Sequence, residues 1–276
     1  MEETIELYTD FLKNIRHVSD NTVSSYKLDL QKMCNYFMKQ GIYSPDRITS
    51  TDINGYILWL EKQGIAPATI SRYVASIKSY FHYMLNIGRV TNDPAMLIKP
   101  PFVEKKVPKP VQTELMDKLL SQPNPFTDKG IRDKAMLELM YATGIKVSEI
   151  IELKIDNLNI DLGYIVCSES KKERMLSFDD RIKEFLSKYI NDARIKMLKG
   201  KESPYLFVNC RGNNMSRQGF WKIIKYYCKE AGIDENISPY SLRSSFEECL
   251  SKRGEDVNSI KNKMGYISSA SVKKFR

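Results

Sequence analysis

The segment "SPYSLRSSF" sets Tyr240 and Arg243 three residues apart, behind Ser238 as a helix cap and Pro239 in the first turn. That spacing puts a phenol and a guanidinium on one helical face. A guanidinium is a planar fork that grips two phosphate oxygens, and a phenol is a nucleophile once it loses its proton. Further groups of the same kinds occur elsewhere in the chain. Lys146 lies in "ATGIKVSEI" with Glu149 three residues on, Lys171, Lys172 and Arg174 lie in "SESKKERM" beside Glu169, and Tyr266 lies in "KMGYISS". Cations and phenols of these types can bind phosphate, and no imidazole accompanies them in the second part of the chain. Both histidines, His17 and His82, fall in the first third of the chain, where they are expected as surface or packing residues and not as ligands.

The whole chain is basic. Its 276 residues carry 43 Lys and Arg against 34 Asp and Glu, a formal +9, which favours a polyanionic partner such as nucleic acid. Residues 1–99 hold 11 basic and 10 acidic groups, whereas residues 113–276 hold 29 and 23, so most of the excess belongs to the second part. The five cysteines are widely spaced, with no C-x-x-C pair, which points to neither a disulfide framework nor a zinc site. Reduced thiols and a cytoplasmic location are expected. No apolar run approaches the roughly 18 residues of a membrane span, and "MEETIELYTDF" is acidic where an export signal would be basic. No membrane, no cofactor and no small-molecule substrate is indicated.

Hydrophobic spacing supplies the elements that must carry these groups. In "NTVSSYKLDLQKMCNYFMKQG", Val23, Tyr26, Leu30, Met33 and Phe37 recur at helical steps, with Asn21 as the expected cap and Gly41 as the stop. "PATISRYVASIKSYFHYMLNIG" aligns Ile70, Tyr73, Val74, Ile77, Phe81 and Met84 between Pro67 and Gly88. Weaker patterns over Leu7 to Ile15 and Ile53 to Leu60 complete a four-helix domain, 1–99. A proline- and lysine-rich linker, 100–112, separates it from a mixed domain, 113–276. That second domain is read as a hairpin of "GYIVCSES" and "KKERMLSF" among helices, so the fold class is mainly α with a small β-sheet.

The run "RDKAMLELMYATGIKVSEIIELKIDNLNI" resembles the opening of the catalytic domain of tyrosine recombinases of the bacterial Xer type. "KKERML", "FWKIIKYYCKEAGI", "ISPYSLRSSF" and "MGYISSASVKKF" continue the resemblance in order and spacing. It implies a SAM-like helical core-binding domain and a catalytic-type domain closing as a C-shaped clamp on duplex DNA. In the family a tyrosine attacks the scissile phosphate, two arginines stabilise its charge, a hairpin lysine protonates the leaving oxygen, and histidine or tryptophan assists. No metal or nucleotide takes part.

Carried onto this chain, the first arginine position is Lys146, which keeps the charge and loses the fork. The hairpin lysine position is Glu169, although a shift of register would bring in Lys171 or Lys172. The histidine position is Tyr240, the second arginine is Arg243, the next histidine or tryptophan position is Tyr266, and the nucleophile position is Phe275. A phenyl ring has no oxygen to attack phosphorus. Three impaired assisting groups would cost about 10⁶-fold even with a nucleophile. The resemblance therefore implies a degenerate site with no intact catalytic set. Attack by Tyr266 or Tyr240, or by a partner subunit's tyrosine, is the route by which chemistry would persist.

Binding is then the expected activity, with a structural or regulatory role on a bacterial chromosome. Thr69, Ser71, Arg72 and Lys78 on one helix and Ser216, Arg217, Gln218 and Lys222 on another match DNA-facing segments of the family. Lys105, Lys106, Lys146, Lys171, Lys172, Arg174, Tyr240 and Arg243 would hold phosphate. Tyr73, Tyr80, Phe81, Tyr83, Trp221 and Tyr226 are expected in the core. Relatives continue past the nucleophile into a helix that couples subunits, whereas this sequence stops at Arg276, so a monomer without the family's cyclic tetramer is expected. The alternatives are an active or conditionally active recombinase and an interaction module that modulates active recombinases.

Overall fold

The structure, a computed structural model, describes residues 1–103, 111–169, 172–266 and 268–272, the side chains of Glu169 and Lys172 excepted. Lys105, Lys106, Lys171 and Phe275, to which the sequence assigns roles, lie outside the described residues. The chain divides into two compact units, Met1–Lys106 and Val107–Arg276.

The first unit is four helices, α1 (Glu2–Asn14), α2 (Asp20–Met38), α3 (Ser50–Lys62) and α4 (Pro67–Asn86). Ser19 caps α2, its hydroxyl accepting from the Thr22 amide, so the helix begins before the Asn21 cap expected from sequence. Serine and asparagine are comparable caps, and the two candidates differ by half a turn. Thr49 and Asp52 form a reciprocal capping box at α3. The apolar stripes meet in an aromatic core in which Tyr8 lies edge-on to Tyr80 with centroids 5.6 Å apart. Gly88 takes φ +69° just beyond α4, a left-handed turn that favours glycine.

The second unit contains α5 (Thr113–Leu120), α6 (Asp128–Thr143), α7 (Val147–Glu152), α8 (Asp180–Lys188), α9 (Arg194–Leu198), α10 (Arg217–Glu230), α11 (Pro239–Lys252) and α12 (Val257–Met264). Its antiparallel sheet has the order β1 (Leu158–Asn159), β2 (Tyr164–Glu169), β3 (Lys172–Ser177), with Glu169 opposite Lys172 at the hairpin end. The sequence reads as one helix over 179–198, whereas a π-helical turn at Tyr189–Ala193 joins α8 to α9. That turn accompanies a fully buried Tyr189, whose hydroxyl accepts from the Val208 amide at 3.1 Å. No described helix is long and apolar enough to cross a membrane.

Helix α6 is buried along most of its length, and burial extends to charged residues. Arg132 donates through Nε (2.8 Å) and Nη2 (2.6 Å) to Asp133 Oδ1 and through Nη1 to the Val208 carbonyl. Tyr227 of α10 donates to Asp133 Oδ2 at 2.9 Å. Burial pushes the Asp133 carboxyl up, against the opposing pull of Arg132 and of these hydrogen bonds. A buried ion pair contributes little relative to an apolar substitute, yet removing one partner leaves an uncompensated charge. Asp133→Asn should therefore lower the unfolding free energy by about 3–5 kcal/mol in urea titrations. A loss below about 1 kcal/mol would contradict this account of the core.

Candidate nucleic-acid interface and phosphate site

Helices α6 and α12 both end at left-handed glycines, Gly144 (φ +60°) and Gly265 (φ +62°). Arg243 of α11 donates from Nη1 to the Gly144 carbonyl and from Nη2 to the Met264 carbonyl. The carbonyl ends of helices carry partial negative charge, so a cation is favourable there. Gly144 is also required by space, since a Cβ at this position would lie 2.4 Å from Phe246 Cδ1. Only 6% of Arg243 is exposed, and burial lowers its pKa from the ordinary arginine value.

Tyr266 lies against this guanidinium, its ring centroid 5.2 Å from Arg243 Cζ, and its hydroxyl donates to Glu247 Oε2 at 2.9 Å. Glu247, one turn beyond Arg243 on α11, is fully buried. Burial and then the bond to Glu247 push the Tyr266 phenol above its ordinary range, which keeps the proton on oxygen. The sequence reading missed Glu247. Its i+4 spacing from Arg243 is the signal that was available, but a carboxylate on a helix is ordinarily solvated.

A second guanidinium is tied in the same way. Arg174 of β3 donates to both carboxylate oxygens of Glu149 on α7, from Nη1 to Oε1 and from Nη2 to Oε2 at 2.6 Å, and its Nε donates to the Lys263 carbonyl at 3.1 Å. Glu149 also accepts from the Lys146 amide at 2.8 Å. A Cβ at Gly265 would lie 2.5 Å from Arg174 Nη1, so the glycine admits the side chain. Arg174 and Arg243 both face protein acceptors and brace β3, α6, α7 and α12 from within. Lys146 is partly exposed and Tyr240 is 48% exposed beside them.

On α4 in the first unit, Thr69 and Ser71 are partly exposed and Arg72 is exposed. Arg72 lies 3.0 Å from the buried Asp29, and Lys78 donates to the Ile98 carbonyl at 3.0 Å, strapping the segment after α4. On α10, Ser216 is the cap, accepting from the Gly219 amide, and Arg217, Gln218 and Lys222 are exposed. Trp221 and Tyr226, expected in the core, are 48% and 51% exposed, with Lys225 5.4 Å above the indole and Lys129 5.7 Å above the phenol. The buried stripe of α10 is Phe220, Ile223, Ile224, Tyr227 and Cys228, which leaves those two rings outside it.

Fold and site define a class: a SAM-like helical domain followed by an integrase-type catalytic domain built on a three-stranded sheet. Residues 5–87 match the phage integrase N-terminal SAM-like domain and residues 111–276 match the phage integrase family. The chain belongs to this family, that of the tyrosine recombinases, and is XerD-like within it. It is 38% identical to tyrosine recombinase XerD of Oceanobacillus iheyensis, over 99% of this chain and 93% of that relative. To XerD of Listeria innocua it is 35% identical, over 96% and 91%. The fold is shared with XerH site-specific recombinase bound to a palindromic difH substrate (TM-score 0.76, 19% identity, 99% of this chain and 80% of that one). It is shared likewise with a lambda integrase dimer bound to a COC′ core site (TM-score 0.74, 15% identity, 99% and 93%).

Two measurements check these assignments. Arg174→Gln should lower the unfolding free energy by about 3 kcal/mol, because it strips the fork from buried Glu149, whereas Lys222→Gln should leave stability within about 0.5 kcal/mol. Equal stability of the two variants would return Arg174 to the surface. Burial raises the Asp29 carboxyl to about 6 despite Arg72, so the folded state favours its protonated form. That contribution is fully present below the unfolded pKa near 4 and is lost as pH rises through 6. Asp29→Asn should gain on wild type by up to about 3 kcal/mol between pH 4 and 7, and a pH-independent difference would contradict it.

Proposed function

We propose that this chain is a sequence-preferring, double-stranded DNA-binding member of the tyrosine recombinase family that does not cleave DNA with its own nucleophile position. The observation that carries the reading is the inward commitment of the guanidinium at the family's second arginine position. Arg243 is tied to the Gly144 and Met264 carbonyls beneath the Tyr266 ring. The sequence adds Phe275 at the nucleophile position, Lys146 at the first arginine and Glu169 at the hairpin lysine. Exposed Arg217, Gln218 and Lys222 on α10 supply groups able to reach base edges and phosphates. The basic excess of the second part supplies salt-sensitive attraction. A structural or regulatory role on a chromosome is the form of activity this reading assigns.

A second reading, an active site-specific recombinase, is favoured by the relatives, which are named as tyrosine recombinases and are 35% to 38% identical along nearly the whole chain. Its candidate nucleophile is Tyr266, whose hydroxyl lies 2.9 Å from the Glu247 carboxylate. A nicked suicide duplex separates the two. The DNA-binding reading expects a mobility shift with no SDS-resistant protein–DNA adduct. It expects none from Phe275→Tyr either, since the charge-stabilising and proton-transfer positions differ as well. A wild-type adduct that Tyr266→Phe abolishes would transfer the nucleophile to the Tyr266–Glu247 pair and establish the second reading.

A further inference from the structure

Helix α10 presents one solvent-facing stripe at helical spacing, Gln218, Trp221, Lys222 and Lys225, with Arg217 at its edge. Four of these five are polar. The fifth is an indole, 48% exposed, that the core does not take in. Its surroundings fix it in place. Lys225 lies over the ring at 5.4 Å, and the same ammonium donates to Asn236 Oδ1 beyond the helix end, so the cation that covers the indole is itself held. An apolar surface fixed among three cations and an amide matches a partner that is anionic at its edges and carries small apolar groups between them.

Duplex DNA has that pattern in its major groove, which admits an α-helix. Phosphates line the rims, acceptors and donors line the floor, and the only apolar projection is the thymine 5-methyl group. We infer that Trp221 is a base-reading residue of this interface, its indole packing against one or two thymine methyl groups while Arg217 and Gln218 reach neighbouring base edges and Lys222 a phosphate. The inference rests on the proposed DNA-binding reading and adds to it a position-specific preference for thymine over cytosine or uracil. The tetrahedral methyl is what the indole recognises. Removing it leaves every hydrogen-bonding atom of the base pair in place, so the preference has a signature distinct from Arg or Gln contacts.

The test uses the full chain and a duplex obtained by selection from random sequence. Each thymine of the selected site is replaced singly by deoxyuridine, and affinity is read by fluorescence anisotropy at fixed salt. At one or two adjacent positions the loss of the methyl should weaken wild-type binding roughly fourfold, the burial value of one such group. Trp221→Ala should bind the thymine duplex about as weakly as wild type binds the uracil duplex and should ignore the replacement. Trp221→Phe should retain part of the discrimination. The wild-type arm decides even where a variant folds poorly. The inference is overturned if every replacement is silent, if Trp221→Ala remains as sensitive as wild type, or if the selected site contains no thymine, and in each case DNA binding itself stands. No selectable duplex at all would overturn the DNA-binding reading and this inference together.

Discussion

Two helices of the second unit end where their carbonyls need a cation, and Arg243 supplies it. The last turns of α6 and α12 each leave unpaired carbonyls, and each terminates in a left-handed glycine that brings its end close to α11. One guanidinium bonding both ends contributes two hydrogen bonds to a charged donor, each about 1.5–3 kcal/mol. It also fixes where Tyr266, two residues after Met264, must sit. Arg174 repeats the device from the sheet side by joining Glu149 and the Lys263 carbonyl. The interior of this unit is thus framed by two guanidinium groups that tie helix ends, sheet and carboxylate together.

Neighbouring side chains are held around this frame by packing and hydrogen bonds. Lys146 stands at the start of α7, and its amide bonds Glu149. Tyr266 lays its ring over Arg243 and donates its hydroxyl to Glu247. Each satisfies a local packing and hydrogen-bonding demand. Arg243 resists replacement on structural grounds alone, because a buried pair of helix ends without a cation would be left with unpaired carbonyls.

The elements were legible in the sequence because periodicity reports burial directly. All four helices of the first unit, the hairpin and the helices bearing Arg217 and Arg243 follow from spacing, caps and prolines. The tertiary partners of charged residues were not legible. Lys78 and Arg174 look like surface cations in one dimension, and only folding brings the Ile98 carbonyl and Glu149 to them. Trp221 failed in the opposite sense: adjacent Phe220 and Trp221 cannot both face the core of one helix, and sequence alone did not say which ring turns outward. The π-helical turn at Tyr189 has no one-dimensional signal, since it follows from how that ring packs between distant segments.

On the proposed DNA-binding reading, Arg243 serves the protein and not the DNA. A crystal structure of the full chain on its selected duplex tests it most directly, through the partners of the Arg243 guanidinium. The account predicts that Nη1 and Nη2 keep the Gly144 and Met264 carbonyls, with no phosphate oxygen within hydrogen-bonding distance of either nitrogen. An Arg243 turned outward onto a phosphate in a bidentate contact, with those carbonyls released, would contradict it.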